Sequence, residues 1–150
     1  MKQAILLSKQ GMDQNKGGPF GAVVVKDGVI IGSGQNEVTS TNDPTAHAEV
    51  VAIRHACKAT NSFSLTGTIL YTSCEPCPMC LAAAYWARVD AIYFANTRLD
   101  AANISFDDSF IYEQMAKPVE KQALPMVQIL RKEALEVFKA WMQKSDRTPY

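Results

Sequence analysis

Two short stretches hold the residues best suited to do chemistry. One is Pro44-Thr45-Ala46-His47-Ala48-Glu49, and the other is Ser73-Cys74-Glu75-Pro76-Cys77-Pro78-Met79-Cys80. Zinc favours borderline-soft nitrogen and sulfur donors in a tetrahedral array. His47, Cys77 and Cys80 offer one imidazole and two thiolates, which fill three positions and leave the fourth for water. Zinc with two thiolates is formally neutral, so a bound hydroxide need not be an isolated buried charge. A zinc-bound water has a pKa of about 7 and is a nucleophile at neutral pH. Glu49 is the remaining acid, able to take a proton from that water and deliver it to a leaving group.

These residues need elements that bring them together. Both stretches fall where a loop or strand gives way to a helix. Pro44 is tolerated at a helix start and Pro78 fits a first-turn position. The sequence leaves open which residue caps each helix. Cys77 and Cys80 are three apart and share a helix face. Two residues apart on an ideal helix means roughly 200° of rotation, so His47 and Glu49 could not face one metal from mid-helix. At a helix start they can, because side chains tilt toward the N-terminus. The positive ends of two helix dipoles would then favour the thiolate forms.

Periodicity supplies the rest of the framework. A first helix is expected over about Lys2 to Gln14, ended by the turn signal Asn15-Lys16-Gly17-Gly18-Pro19. The runs Gly21 to Lys26 and Val29 to Ser33 flank Asp27-Gly28, a strong hairpin signal. Glu37 to Asp43 reads as loop. A helix follows to about Thr60, with Val50, Ile53 and Cys57 as its buried face. Strands are expected over Thr68 to Ser73, Asp90 to Ala95 and Met126 to Leu130. Helices are expected over Pro78 to Arg88, Phe110 to Ala116 and Glu133 to Lys144. The order implies an α/β fold of three layers, α/β/α, with a five-stranded mixed sheet. Its parallel part would join strands linked by the second and third helices.

Composition narrows the function class. The 150 residues carry 15 basic and 15 acidic side chains, for a net charge of zero. That balance argues against a strongly basic nucleic-acid-binding domain and against an acidic disordered tail. A chain of this length buries about 70% of its unfolded surface and needs no disulfide to build a core. No apolar run approaches the roughly 18 residues of a membrane span. Ala4 to Leu7 is too short for a secretory signal, which points to the cytoplasm. Three of the four cysteines fall between positions 74 and 80, a clustering that favours metal over disulfides in such a chain.

The His-x-Glu and Pro-Cys-x-x-Cys stretches, in this order and with a strand between their helices, resemble the zinc-dependent cytidine-deaminase-like superfamily of nucleobase deaminases. Within it, several stretches are similar to bacterial guanine deaminases. They are Gly17 to Ala22, Asn42 to Glu49, Tyr71 to Cys80, Tyr85 to Arg88, and Phe106-Asp107-Asp108-Ser109-Phe110 with a terminal tyrosine. The first three are partly shared with tRNA adenosine deaminases. The resemblance implies hydrolytic deamination of guanine to xanthine and ammonia, with one zinc per subunit on His47, Cys77 and Cys80. It implies Glu49 as proton shuttle and Asn36 as a hydrogen-bond partner of the purine. Phe20 and Trp86 would line or stack on the base. Asp108 would bind its edge and assist proton transfer, and Tyr150 would help close the pocket. The implied partner is a small purine base rather than a nucleic acid. The implied assembly is a homodimer of a single domain, residues 1–150, whose C-terminal segment, about 118–150, can cross to the other subunit.

Rival readings stand beside these. Cys74, Cys77, Cys80 and His47 could close a four-ligand structural zinc site, as in a non-enzymatic dimerisation module. A tRNA adenosine deaminase shares the zinc signature, and other nucleobase or nucleoside deaminases come next. His55 and Cys57 read as ordinary helix residues. Glu75 reads as ordering the turn before the helix, and Asn36, by its local sequence alone, as turn chemistry.

Overall fold

The computed structural model describes residues 1–150. Met1–Ser109 form one unit and Phe110–Tyr150 a second. In the first unit, helix α1 (Lys2–Asp13) leads into strands β1 (Gly21–Lys26) and β2 (Val29–Gln35). Helices α2 (Val38–Thr41) and α3 (Ala48–Thr60), strand β3 (Thr68–Cys74), helix α4 (Pro78–Trp86), strand β4 (Ala91–Asn96) and helix α5 (Arg98–Asn103) follow. The second unit is entered through α6 (Ser109–Met115). It continues through a 3₁₀ turn at Val119–Lys121 to α7 (Arg131–Gln143). No helix is long and apolar enough to cross a membrane.

The hairpin forms because Asp27 (φ 49°) and Gly28 (φ 79°) both take positive φ. That is the two-residue turn whose twist matches the flanking strands. The sheet order is β2-β1-β3-β4. β1 pairs antiparallel with both β2 and β3, and β3 pairs parallel with β4. Strands β2 and β3 thus run in the same direction with β1 between them, and α3 crosses over β1 to link them. Only β3 and β4 are parallel neighbours.

Two helix layers cover the sheet. Ala22, Val24 and Leu70 share one face and form a core with Ala48, Ala52, Ile53 and Ala56 of α3 and Ala84 of α4. The opposite face receives α1, whose backbone lies against β1. A methyl group on Gly21 would sit 2.3 Å from the Ala4 carbonyl oxygen. The expected buried face of α3 is corrected here, since Val50 and Cys57 are only half-buried while the Ala48-Ala52-Ala56 stripe is fully buried. The cause lies across the interface in β2. A Cβ on Gly34 would meet the Ala48 carbonyl oxygen at 2.3 Å, and one on Gly32 would meet the Ala52 carbonyl oxygen at 2.4 Å. Helix and sheet backbones approach so closely that only small residues fit between them.

The sheet has four strands, not five. Met126–Leu130 is irregular and exposed, with Val127 80% and Ile129 74% accessible, and it ends at Leu130 in left-handed backbone (φ 51°). The run is mostly apolar, but without a ladder partner its backbone groups gain nothing by extending. Two further short helices appear, α2 where loop was expected and α5 in a stretch where the sequence predicts no element. The second is held by a capping box: Thr97 Oγ1 accepts from the Asp100 amide, and Asp100 accepts from the Thr97 amide.

Gly34→Ala is expected to cost at least about 1–3 kcal/mol of unfolding free energy, the usual range for overpacking, measured by urea denaturation. A wild-type midpoint would remove the close-approach account of the α3–β2 contact.

Candidate active site

The chain turns tightly before α3. Asp43 accepts hydrogen bonds from the amide and hydroxyl of Thr45 and pairs with Arg54 at 3.5 Å. His47 emerges from this turn as the N-cap of α3, in extended backbone (φ −68°, ψ 152°). Cys77 is the N-cap of α4 in nearly the same conformation (φ −64°, ψ 167°), with Pro78 in the first turn. Each helix therefore starts on a candidate metal ligand. Because His47 is not yet helical, the rotation that would part it from Glu49 in mid-helix does not apply.

The candidate ligand atoms of His47, Cys77 and Cys80 all lie within 4.8 Å of one another. His47 Nδ1 is 3.5 Å from each sulfur. A hydrogen bond from Cys80, then one from His47, draws the Cys77 thiol well below the usual thiol range. The same Cys77–Cys80 hydrogen bond, with burial, drives Cys80 up. The Cys77 hydrogen bond raises His47. Such a cluster, with one acidified thiol and a second held protonated beside an imidazole, is built to exchange protons for a cation. One nitrogen and two sulfur donors are a set that suits zinc.

Cys74 stands apart. It is buried at the end of β3, its Sγ donates to the Thr97 carbonyl oxygen at 3.5 Å, and burial raises it to about 11. A four-ligand closed site would need this thiol as a thiolate in the cluster, and it is neither. His55 is likewise structural: its Nδ1 lies 2.7 Å from the Ser33 carbonyl oxygen and ties α3 to β2.

Glu49 is only 5% exposed, and burial raises its carboxyl. Its two oxygens have different partners. Oε1 accepts from Thr72 Oγ1 at 2.9 Å, and Oε2 is 3.3 Å from Cys80 Sγ, at the ligand cluster.

The remaining expected residues of the first unit lie just before β1, just after β2, at the end of α4 and in the segment after α5. Asn36 is buried, and its amide donates to the Phe20 carbonyl oxygen. Asn36 Oδ1 accepts from the amides of Gly18 and Val38. A Cβ on Gly17 would lie 2.1 Å from that same oxygen. With Oδ1 engaged twice, the side chain has its amino group left to offer a ligand. Phe20 is half-buried and meets Phe106 edge-to-face at 4.9 Å between ring centres. Asp108 is half-buried, and its carboxyl is raised by burial and next by the nearby Cys77. Asp107 is occupied in accepting from the Ser109 amide. Trp86 ends α4 and is 66% exposed. Tyr150, 72% exposed, belongs to the second unit.

Three features had no counterpart in the sequence reading. Thr72 was taken only as part of a strand, Phe106 only as part of a stretch, and Glu75 as a residue of its own turn. Glu75 instead reaches to α5: its carboxylate accepts from the Arg98 amide at 3.0 Å, and its amide donates to the Asn96 carbonyl oxygen at 2.8 Å. The signal for Thr72 was available. Thr72 lies two residues beyond Leu70 in a buried strand and so faces the core, where a hydroxyl needs a partner.

Comparison with known proteins decides the family. Residues 1–96 match the model of the cytidine and deoxycytidylate deaminase zinc-binding region. The chain belongs to this family. Among its relatives, the guanine deaminase of Bacillus subtilis (strain 168) is 53% identical over 150 residues, which span 100% of this chain and 96% of that protein. The X-ray structure of guanine deaminase from Bacillus subtilis superposes with a TM-score of 0.96 at 53% identity, covering 99% of this chain and 95% of that one. A tRNA-specific adenosine deaminase of Aquifex aeolicus (strain VF5) is 39% identical over 95 residues, 63% of this chain and 62% of that protein. The zinc-binding deaminase region therefore holds both His47 with Glu49 and the Cys77–Cys80 pair.

Cys74→Ser is expected to keep bound metal at the wild-type stoichiometry, whereas Cys77→Ser loses it, read by elemental analysis of the purified proteins. Metal loss from the Cys74 variant would restore the four-ligand site.

Proposed function

We propose that this protein hydrolytically deaminates guanine to xanthine and ammonia, with zinc held by His47, Cys77 and Cys80. The observation that carries this reading is the likeness to guanine deaminase over the full length of the chain, coupled to the buried Glu49 beside the cluster. The likeness to tRNA deaminases is confined to part of the chain. The balanced charge also suits a free base better than a polyanion. Zinc in this site supplies an activated water as nucleophile.

The chain's own groups do the rest. Glu49, buried beside the cluster, takes a proton from the attacking water and delivers it to the departing amino group. Asn36 donates through its amino group to an acceptor on the purine. Asp108, when ionised, accepts from the base's ring N–H and amino groups. Phe20 presents an aromatic wall, buttressed edge-on by Phe106. Trp86 and Tyr150 complete the enclosure, the latter from the C-terminal segment.

The same reading makes the enzyme a cytoplasmic homodimer in which about residues 118–150 are exchanged between subunits. Two features support the exchange. β4 is the edge of its sheet, and Met126–Leu130 is a strand-like run with no ladder partner.

Ammonia release over guanine, adenine, cytosine, their nucleosides and tRNA tests the assignment. Guanine is expected to be the substrate turned over, and turnover of another compound without guanine would overturn it. Glu49→Ala is expected to retain zinc and lose activity by about 10²–10⁴-fold, the range of a general acid–base group. Undiminished turnover would remove Glu49 from the mechanism.

A further inference from the structure

The two oxygens of Glu49 are not equivalent, and one residue makes them so. Thr72 is fully buried in β3, between Ala22 of β1 and Phe94 of β4. Ladder hydrogen bonds on both sides fix its backbone, and a β-branched side chain has few χ1 choices. Its hydroxyl reaches the Glu49 carboxylate across 23 positions of sequence, at 2.9 Å. Thr68, on the same strand face, spends its hydroxyl on the nearby Leu65 carbonyl oxygen instead. Glu49 sits in the first turn of α3. Nothing else donates to Oε1 from a side chain, while Oε2 lies at Cys80 Sγ.

We propose that Thr72 is the positioning residue of the proton shuttle. Its hydroxyl anchors Oε1 to the sheet and so reserves Oε2 as the oxygen that carries the proton. The Thr72 hydroxyl bonds Glu49, and not a candidate metal ligand or a residue assigned to the base. Its loss acts on the chemical step and leaves binding alone. The inference rests on Glu49 being the proton carrier.

Thr72→Val keeps the shape and removes the donor, and Thr72→Ser keeps the donor. In the zinc-loaded full-length protein, Thr72→Val is expected to lower kcat for guanine about 10- to 100-fold, the scale of a misplaced catalytic group. KM, zinc per chain and the calorimetric Kd for 8-azaguanine are expected to stay within about twofold of wild type, the span of an interaction that binding does not use. Thr72→Ser is expected to keep most of the wild-type kcat. In a Glu49→Gln background, Thr72→Val is expected to cause no further loss, because the two residues act as a unit. Three results would overturn the proposal. They are a wild-type kcat in Thr72→Val, equal losses in the valine and serine variants, and loss of zinc or of 8-azaguanine binding in step with kcat. If the valine variant does not fold, Thr72→Ala takes its place with the same expected split. A wild-type protein inert toward guanine would instead mark failure of the substrate assignment.

Discussion

Two helices must begin within a few ångströms of each other for this site to exist. Helix α3 starts on His47 and α4 starts on Cys77, and each uses a ligand as its N-cap. The constraint that puts α3 there is backbone proximity to the sheet. Gly32 and Gly34 leave no side chain in β2, and Ala48, Ala52 and Ala56 keep α3 small on the side that faces it. A thicker interface would lift the start of α3 away from β3 and α4, and His47 would part from the two sulfurs. A packing rule between alanine and glycine thus sets the distance between candidate ligands.

The end of β3 distributes that placement to the rest of the site. Four consecutive residues tie three elements to the strand. Thr72 holds Glu49, and Ser73 Oγ accepts from the Gly21 amide beside Phe20. Cys74 bonds the Thr97 carbonyl oxygen, and Glu75 caps the Arg98 amide. The last two steady the corner from which α5 and the loop bearing Phe106 and Asp108 depart. Two residues further on, Cys77 begins the metal cluster. Glu49, the turn bearing Phe20 and the segment bearing Phe106 and Asp108 are therefore all referenced to one strand terminus.

Much of this was legible in the sequence because the decisive signals are local. His-x-Glu and Cys-x-x-Cys name the candidate ligands within a few residues, and Pro78 marks the start of α4, whereas Pro44 lies in the turn ahead of α3 and not at its start. Asp27-Gly28 specifies its turn in the same way. What was not legible depends on surfaces meeting across the fold. The buried stripe of α3 runs through alanines rather than Val50 and Cys57, because two glycines face it from β2. Helix α5 is too short to show a period, although its Thr97–Asp100 capping pair is visible afterwards. The fifth strand read from Met126–Leu130 was an apolar run with no partner. Thr72 reads as any strand threonine until its strand face is known.

Strand pairing has a further consequence for the chemistry. Side chains along β3 alternate between the two faces of the sheet, so a slip of one residue against β1 would turn Thr72 away from Glu49. The pairings Ala22–Thr72 and Val23–Tyr71 exclude that slip, and β1 is itself aligned through its ladder with β2, which the turn at Asp27-Gly28 closes. Those two turn residues touch nothing catalytic. Yet the ladder they begin, which absorbs an extra residue of β2 between Val24 and Val25, carries β1 to the strand whose alternation decides which hydroxyl faces the acid.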